Sequence, residues 1–229
     1  MARSIWLRQE RAGRGPVPEH SRAEITAAAV ALADEGGLAA VSMRKVAAAV
    51  GTGAASLYRY VENRDELVEL MADAVVGEVD LDRPPAVDWL ADLVELAHAM
   101  RAVYRRHPWM LDVVPGRGLG PNAIDVMERA LGAMSGLDVP AATKMETFAL
   151  LNATILLLVR AEGAVPDPTG EYARGHLEFL ASVAAAGRHP HLAAALADPT
   201  PPPDPGQDLL DRVLPRVLTG LLDTNGRTG

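Results

Sequence analysis

The sequence predicts an all-α fold: a three-helix helix-turn-helix head followed by a larger helical domain, about nine to ten helices in all. Three observations carry this. Apolar residues recur at helical spacing along nearly the whole chain. Phe, Trp and Tyr are only 4 % of the 229 residues, and no stretch alternates apolar and polar residues between turn signals as a strand does. Gly and Pro fall mostly between the periodic segments.

Residues 1–20 predict a flexible basic arm, because Gly13, Gly15, Pro16 and Pro18 interrupt any helix there. Ser21 with Glu24 is a capping box, and Ile25, Ala28, Ala29 and Leu32 follow it to Gly36-Gly37. Ser42 caps a second, short helix with Val46, Ala49 and Val50 inside, and Gly51-Thr52-Gly53 ends it. A third helix over about residues 54–60 turns Leu57 and Val61 inward. Asn63 with Glu66 opens a fourth that continues to about Val79. After a link at 80–87, further helices are expected at about 88–107, 121–135, 140–162, 170–187 and 207–223. The loop Gly187–Gly206 holds six of the 17 prolines and is expected to be extended or mobile. Pro215 either starts or bends the last helix. The domains are then 21–66 for the head and 67–229 for the remainder.

Composition narrows the chemistry. The chain has no cysteine, which excludes a disulfide framework and thiol catalysis and fits a reducing cytoplasm. The arginine-rich start does not resemble a secretory signal. The apolar run Phe148–Val159 is shorter than the roughly 20 residues that span a bilayer, so no membrane partner is expected. Net charge is −8, yet residues 1–64 carry nine basic and six acidic groups while the rest carries 13 and 24. A basic head on an acidic body suits a chain of which one end meets phosphate. No catalytic motif and no His/carboxylate metal cluster stands out, so neither an enzyme nor a cofactor or metal is expected. His98 is expected on a solvated rim, and His107 at a helix corner.

Three short helices with a glycine turn between the second and third form a helix-turn-helix pattern. Small residues at the start of the third, Ala54, Ala55 and Ser56, let its backbone approach base edges, and Tyr58, Arg59 and Tyr60 supply donors. Arg44 and Lys45 sit in the first turn of the second helix, where cations oppose the helix dipole and a phosphate would explain them.

The run Val-Ser-Met-Arg-Lys-Val-Ala-Ala-Ala-Val-Gly-Thr-Gly-Ala-Ala-Ser-Leu-Tyr-Arg-Tyr-Val-Glu-Asn-Arg-Asp-Glu-Leu, residues 41–67, resembles the N-terminal domain of the TetR family of repressors. The His107-Pro108-Trp109 corner and Gly118-Leu119-Gly120-Pro121-Asn122 are similar to segments of the tetracycline-repressor branch. The resemblance implies that Ala54, Ala55, Ser56, Arg59 and Tyr60 face bases and that Ser42, Arg44, Tyr58 and Arg64 contact phosphates. Ala54 and Ala55 cannot read a base by hydrogen bond, so no relative's operator transfers. The arm before Ser21 is a candidate for the minor groove.

The helix through Phe148–Val159 is apolar all round and is expected to be buried all round at the sensor's centre. Asn152 within it needs a partner, either a ligand or a neighbouring helix. Candidate ligand-pocket walls are Met100, Tyr104, Trp109, Met110, Phe148, Leu151, Asn152 and Ile155. The apolar stripes of the helices at 170–187 and 207–223 imply, with the family resemblance, a four-helix homodimer interface. The function so implied is a repressor, freed from a double-stranded DNA operator by a small hydrophobic effector. The alternative is a helical scaffold whose head binds protein.

Overall fold

The computed structural model describes residues 4–8, 20–82, 84, 88–113, 119–163, 170–198 and 208–222. Ten α-helices stand among them: α1 Arg22–Gly36, α2 Met43–Ala49, α3 Ala54–Leu57, α4 Arg64–Val76, α5 Trp89–Arg106, α6 Pro121–Ala133, α7 Ala141–Glu162, α8 Glu171–Ala185, α9 Pro190–Leu196 and α10 Leu209–Leu222. Short 3-10 turns occur at Ile5–Leu7, Leu38–Ala40 and Pro108–Asp112.

Local signals set the head. Ser21 Oγ accepts from the Glu24 amide at 3.1 Å while the Ser21 amide donates to the Glu24 carboxylate at 2.8 Å, so both halves of the capping box form. At α4 the Asn63 side chain caps the Glu66 amide at 2.9 Å, but the Glu66 carboxylate takes the amide of Glu62 rather than that of Asn63. Gly51 has φ +76°, the left-handed geometry that ends α2 at no steric cost. Helix α3 closes at Leu57, three residues earlier than expected, and α4 closes at Val76.

Helices α1, α2, α3 and α4 pack together as the head, and α4 then leans on α6 and α5. In the sensor α5 packs on α6 and α7, α6 also packs on α7, and α10 lies across α7 and α5. One apolar core runs from Ile5 and Ile25 through Met71 and Met100 to Leu222, so head and sensor share buried surface. Its burial is the dominant stabilising term.

Four expectations need correction. The N-terminal segment is anchored where the structure describes it: Ile5 is 1 % exposed, and the Arg8 guanidinium pairs with Glu62 and Glu66, so neither faces a minor groove. The rest of the predicted arm, 1–3 and 9–19, lies outside the described residues. Helix α7 is buried on one face only, through Thr147, Leu151, Ile155, Leu158 and Val159; Met145, Leu150 and Leu157 are exposed, Leu157 by 67 %. Uniform apolarity marks both a core face and a face awaiting cover, and composition cannot separate them. The stripe of α10 is covered in part within the subunit, with Leu210, Leu214, Leu218 and Leu222 buried against α7 and α5 while Val213, Val217 and Leu221 stay half-buried. Finally, α9 forms inside the Pro-rich loop, because Pro190 occupies its first turn, where a missing N–H costs nothing.

Helix α10 runs through Pro215 without interruption. Although α7 is long and apolar enough to cross a membrane by length and composition, it packs against α5, α6 and α10.

Candidate nucleic-acid interface and sensor

The Gly51 bend swings α3 outward while Leu57 and Val61 fasten it to the head, both almost wholly buried. Ala55, Tyr58 and Arg59 are exposed, Tyr58 by 55 %. Ala54, Ser56 and Tyr60 are half-buried, and Ala54 and Tyr60 pack against the core. Arg44 and Lys45 project from the first turn of α2, exposed and without an ion-pair partner among the described residues. Ser42 is half-buried, and its hydroxyl oxygen accepts from the Lys45 amide at 3.3 Å as the cap of α2. Arg44, Lys45 and Arg59, without an ion pair among the described residues, and an exposed phenol thus stand on the segments that the bend joins, which suits a polyanion.

Arg64, expected at a phosphate, also makes hydrogen bonds within the head. Its Nε donates to the Val41 carbonyl at 3.0 Å and a terminal nitrogen donates to the Leu38 carbonyl at 2.7 Å. The guanidinium thereby ties α4 to the connection between α1 and α2.

In the sensor, Met100, Tyr104, Trp109, Leu151 and Ile155 are buried, Met110 and Phe148 are partly buried, and Asn152 is intermediate. Tyr104 on α5 donates its hydroxyl proton to Asn152 Oδ1 on α7 at 2.9 Å, so the partner that Asn152 needed is a neighbouring helix. Burial pushes the Tyr104 phenol up to about 12, which keeps it a neutral donor. This polar pair sits among apolar side chains of α5 and α7, the composition of a small-molecule site. Trp109, expected as a pocket wall, donates its indole N–H to Asp34 of α1 at 2.7 Å.

Sequence reasoning missed three links. Asp34 and Glu78 flank His107 at 2.7 and 3.2 Å. The buried Asp73 carboxylate of α4 holds the first turn of α6. Arg101 pairs with both Glu162 and Asp208, joining α5 to the end of α7 and the start of α10. Each joins residues far apart in the chain, so no local pattern announced it. His98, expected on a solvated rim, is partly exposed and reaches Asp211 of α10 at 2.6 Å.

A bent, cation-bearing helical head on an all-helical sensor defines a helix-turn-helix transcriptional regulator. The chain matches the model of bacterial regulatory proteins of the tetR family over residues 25–71, and that of the tetracyclin repressor-like C-terminal domain over residues 81–224. It is 35 % identical over 228 residues to the HTH-type transcriptional repressor DrrR1 of Streptomyces coeruleorubidus, covering 95 % of this chain and 83 % of that protein. An HTH-type transcriptional regulator of Saccharopolyspora erythraea is 32 % identical over 160 residues, 69 % of this chain and 67 % of the relative. Among solved structures, ActR of Streptomyces coelicolor in complex with actinorhodin superposes with a TM-score of 0.73 at 28 % identity, covering 94 % of this chain and all of ActR. The chain belongs to the TetR family. It is a DNA-binding regulator of transcription.

Proposed function

We propose that this regulator is a cytoplasmic, dimeric repressor that holds a double-stranded operator through the surface around the Gly51 bend and leaves it when an apolar small molecule occupies the sensor. The observation that carries the reading is the exposure of Arg44, Lys45, Tyr58 and Arg59 on a head whose α3 is pinned by Leu57 and Val61. In this reading Ala55 and Arg59 face base edges, and Ala54, Ser56 and Tyr60 lie at the margin of that surface. Arg44, Lys45, Tyr58 and the Ser42 hydroxyl meet phosphates, and Arg64 sets the angle of the head.

The effector site is placed between α5 and α7, around Tyr104 and Asn152, with Met100, Met110, Phe148, Leu151 and Ile155 as apolar lining. The ActR complex supports a small-molecule effector, since a protein of this architecture holds actinorhodin. A second copy would cover the exposed face of α7, the half-buried Val213, Val217 and Leu221 of α10, and helix α8, whose principal neighbour within the subunit is α9. Two heads then meet successive major grooves about 34–36 Å apart.

Selection of duplexes from a random-sequence pool on the wild-type protein tests this. A recovered duplex whose affinity falls steeply with salt is the expected result, because each neutralised phosphate releases counterions. Recovery of no duplex, or association with other proteins that ignores salt, would transfer the head to the scaffold reading.

A further inference from the structure

Where α5 ends, His107 places both ring nitrogens against carboxylates, one on α1 of the head and one in the turn after α4. Nδ1 lies 2.7 Å from Asp34 Oδ1 of α1, and Nε2 lies 3.2 Å from Glu78 Oε2 in the turn after α4. The same Asp34 oxygen accepts the Trp109 indole proton at 2.7 Å, and the same Glu78 oxygen accepts from Arg106 of α5 at 2.7 Å. The residue is 7 % exposed, and the Trp109 ring stands edge-on to it. Asp34, Glu78 and Arg106 are the charged groups placed against the imidazole. The neighbouring turn Leu38–Ala40 adds none.

The chemistry of the ring decides what this joint does. A neutral imidazole has one N–H and one lone pair, so it can donate to only one of the two carboxylates and must aim its lone pair at the other. The imidazolium donates to both. The hydrogen bonds from Arg106 and His107 outweigh the upward push of burial and hold Glu78 below the usual carboxylate range, so that side of the joint is anionic near neutral pH.

The joint also links the two halves directly. His107 caps α5, and its carbonyl accepts from Met110 in the turn Pro108–Asp112, which borders the proposed effector site. Any displacement of that turn pulls on Asp34, and Asp34 lies on α1, which packs on α2 and α4.

We propose that the Asp34–His107–Trp109 joint carries the state of the sensor to the head, and that protonation of His107 tightens it, so that operator affinity falls as the pH rises. The coupling to DNA rests on the repressor reading above. The joint itself does not.

Two measurements separate them. Amide exchange of residues 22–36 in the free protein is compared between wild type and His107→Gln at pH 6 and again at pH 8, so that the intrinsic pH dependence of exchange cancels at each pH. The expected result is faster exchange in the variant at pH 6 and a gap that closes at pH 8. Equal exchange at pH 6, or the same gap at both pH values, would overturn the joint as a proton-dependent device. Asp34→Asn, which keeps the size of the side chain, must behave likewise and guards against a fold defect peculiar to the glutamine variant. Second, Kd for the duplex recovered by selection is measured at both pH values. Wild type is expected to weaken by about fivefold more between pH 6 and 8 than either variant. An equal change in all three proteins would remove the coupling to DNA. If wild type recovers no duplex at all, the repressor reading fails and the exchange data alone decide the joint.

Discussion

Asp73, buried in α4, serves as the missing cap of α6. Its Oδ1 accepts the Ala123 amide at 3.0 Å, and its Oδ2 accepts the Asn122 side chain at 3.0 Å. Gly120, which precedes α6, offers no side chain to do this. An anion at a helix N-terminus satisfies orphan amides and meets the positive end of the dipole. The sensor helix is therefore started by a residue of the helix that leads to the head.

Asp73→Ala should lower stability by about 1–3 kcal/mol, because the orphaned amides remain under cover. Gly120→Ala should also destabilise, since a Cβ there would collide with the Asp73 carboxylate and the Trp6 ring. Urea midpoints measure both. A Gly120→Ala midpoint equal to wild type would mean that the contact between α4, α6 and the N-terminal segment is loose.

The acid limb of stability should trace to Arg101. Burial works to raise Glu162, but hydrogen bonds from Arg101 and Arg105 outweigh it and hold the carboxyl below its usual range. Asp208 is lowered first by its hydrogen bond from Arg101, against a smaller opposing effect of burial. A carboxylate whose folded value is depressed stabilises the fold above the ordinary range and loses that contribution as the pH falls through the folded value. Stability should thus hold from pH 8 to about 5 and fall below about pH 4. Arg101→Met should flatten that fall in urea titrations across the same range. An unchanged slope would show that other carboxylates carry it.

How much of this was legible depends on distance along the chain. The Ser21 capping box, the Gly51 bend and the inward Leu57 and Val61 are decided within a turn or two, and local pattern sufficed for them. Asp34 and His107 are 73 positions apart, and Asp73 and Asn122 are 49 apart, so only the folded chain introduces them. Trp109 was expected in the pocket because it is large and apolar, and the bond from its one polar atom to Asp34, 75 positions away, was not legible. The apolar run of α7 misled for a different reason: part of its surface is left uncovered by the described residues, and composition does not distinguish that face from a core face. The same holds for α8, where Tyr172 is 81 % exposed.

Leu157→Glu tests whether a second copy covers that face. The side chain lies on the uncovered face of α7, so a charge there should leave the isolated subunit as stable as wild type. Burying that charge against a second copy would cost several kcal/mol without a counter-ion. Sedimentation velocity is expected to show wild type as a dimer and the variant as a monomer at micromolar concentration. A variant that remains dimeric would place the interface elsewhere.

Arg64, Tyr58 and Arg59 separate three ways of losing DNA. Arg64→Ala removes two hydrogen bonds to the carbonyls of Leu38 and Val41, at about 1–3 kcal/mol for the buried acceptors. It should lower the melting temperature and weaken operator binding while leaving the salt slope of log Kd as in wild type. Tyr58→Ala should weaken binding to all duplexes alike without lowering stability, because the exposed phenol has little to lose in the free protein. Arg59→Ala should change which duplex is preferred, by about 1–3 kcal/mol at one position of the site, as expected for a side chain on a base edge. Competition among selected duplexes, repeated at two salt concentrations, distinguishes the three. If Arg64→Ala instead reduced the salt slope by about one unit with no loss of stability, its guanidinium would be a phosphate contact after all.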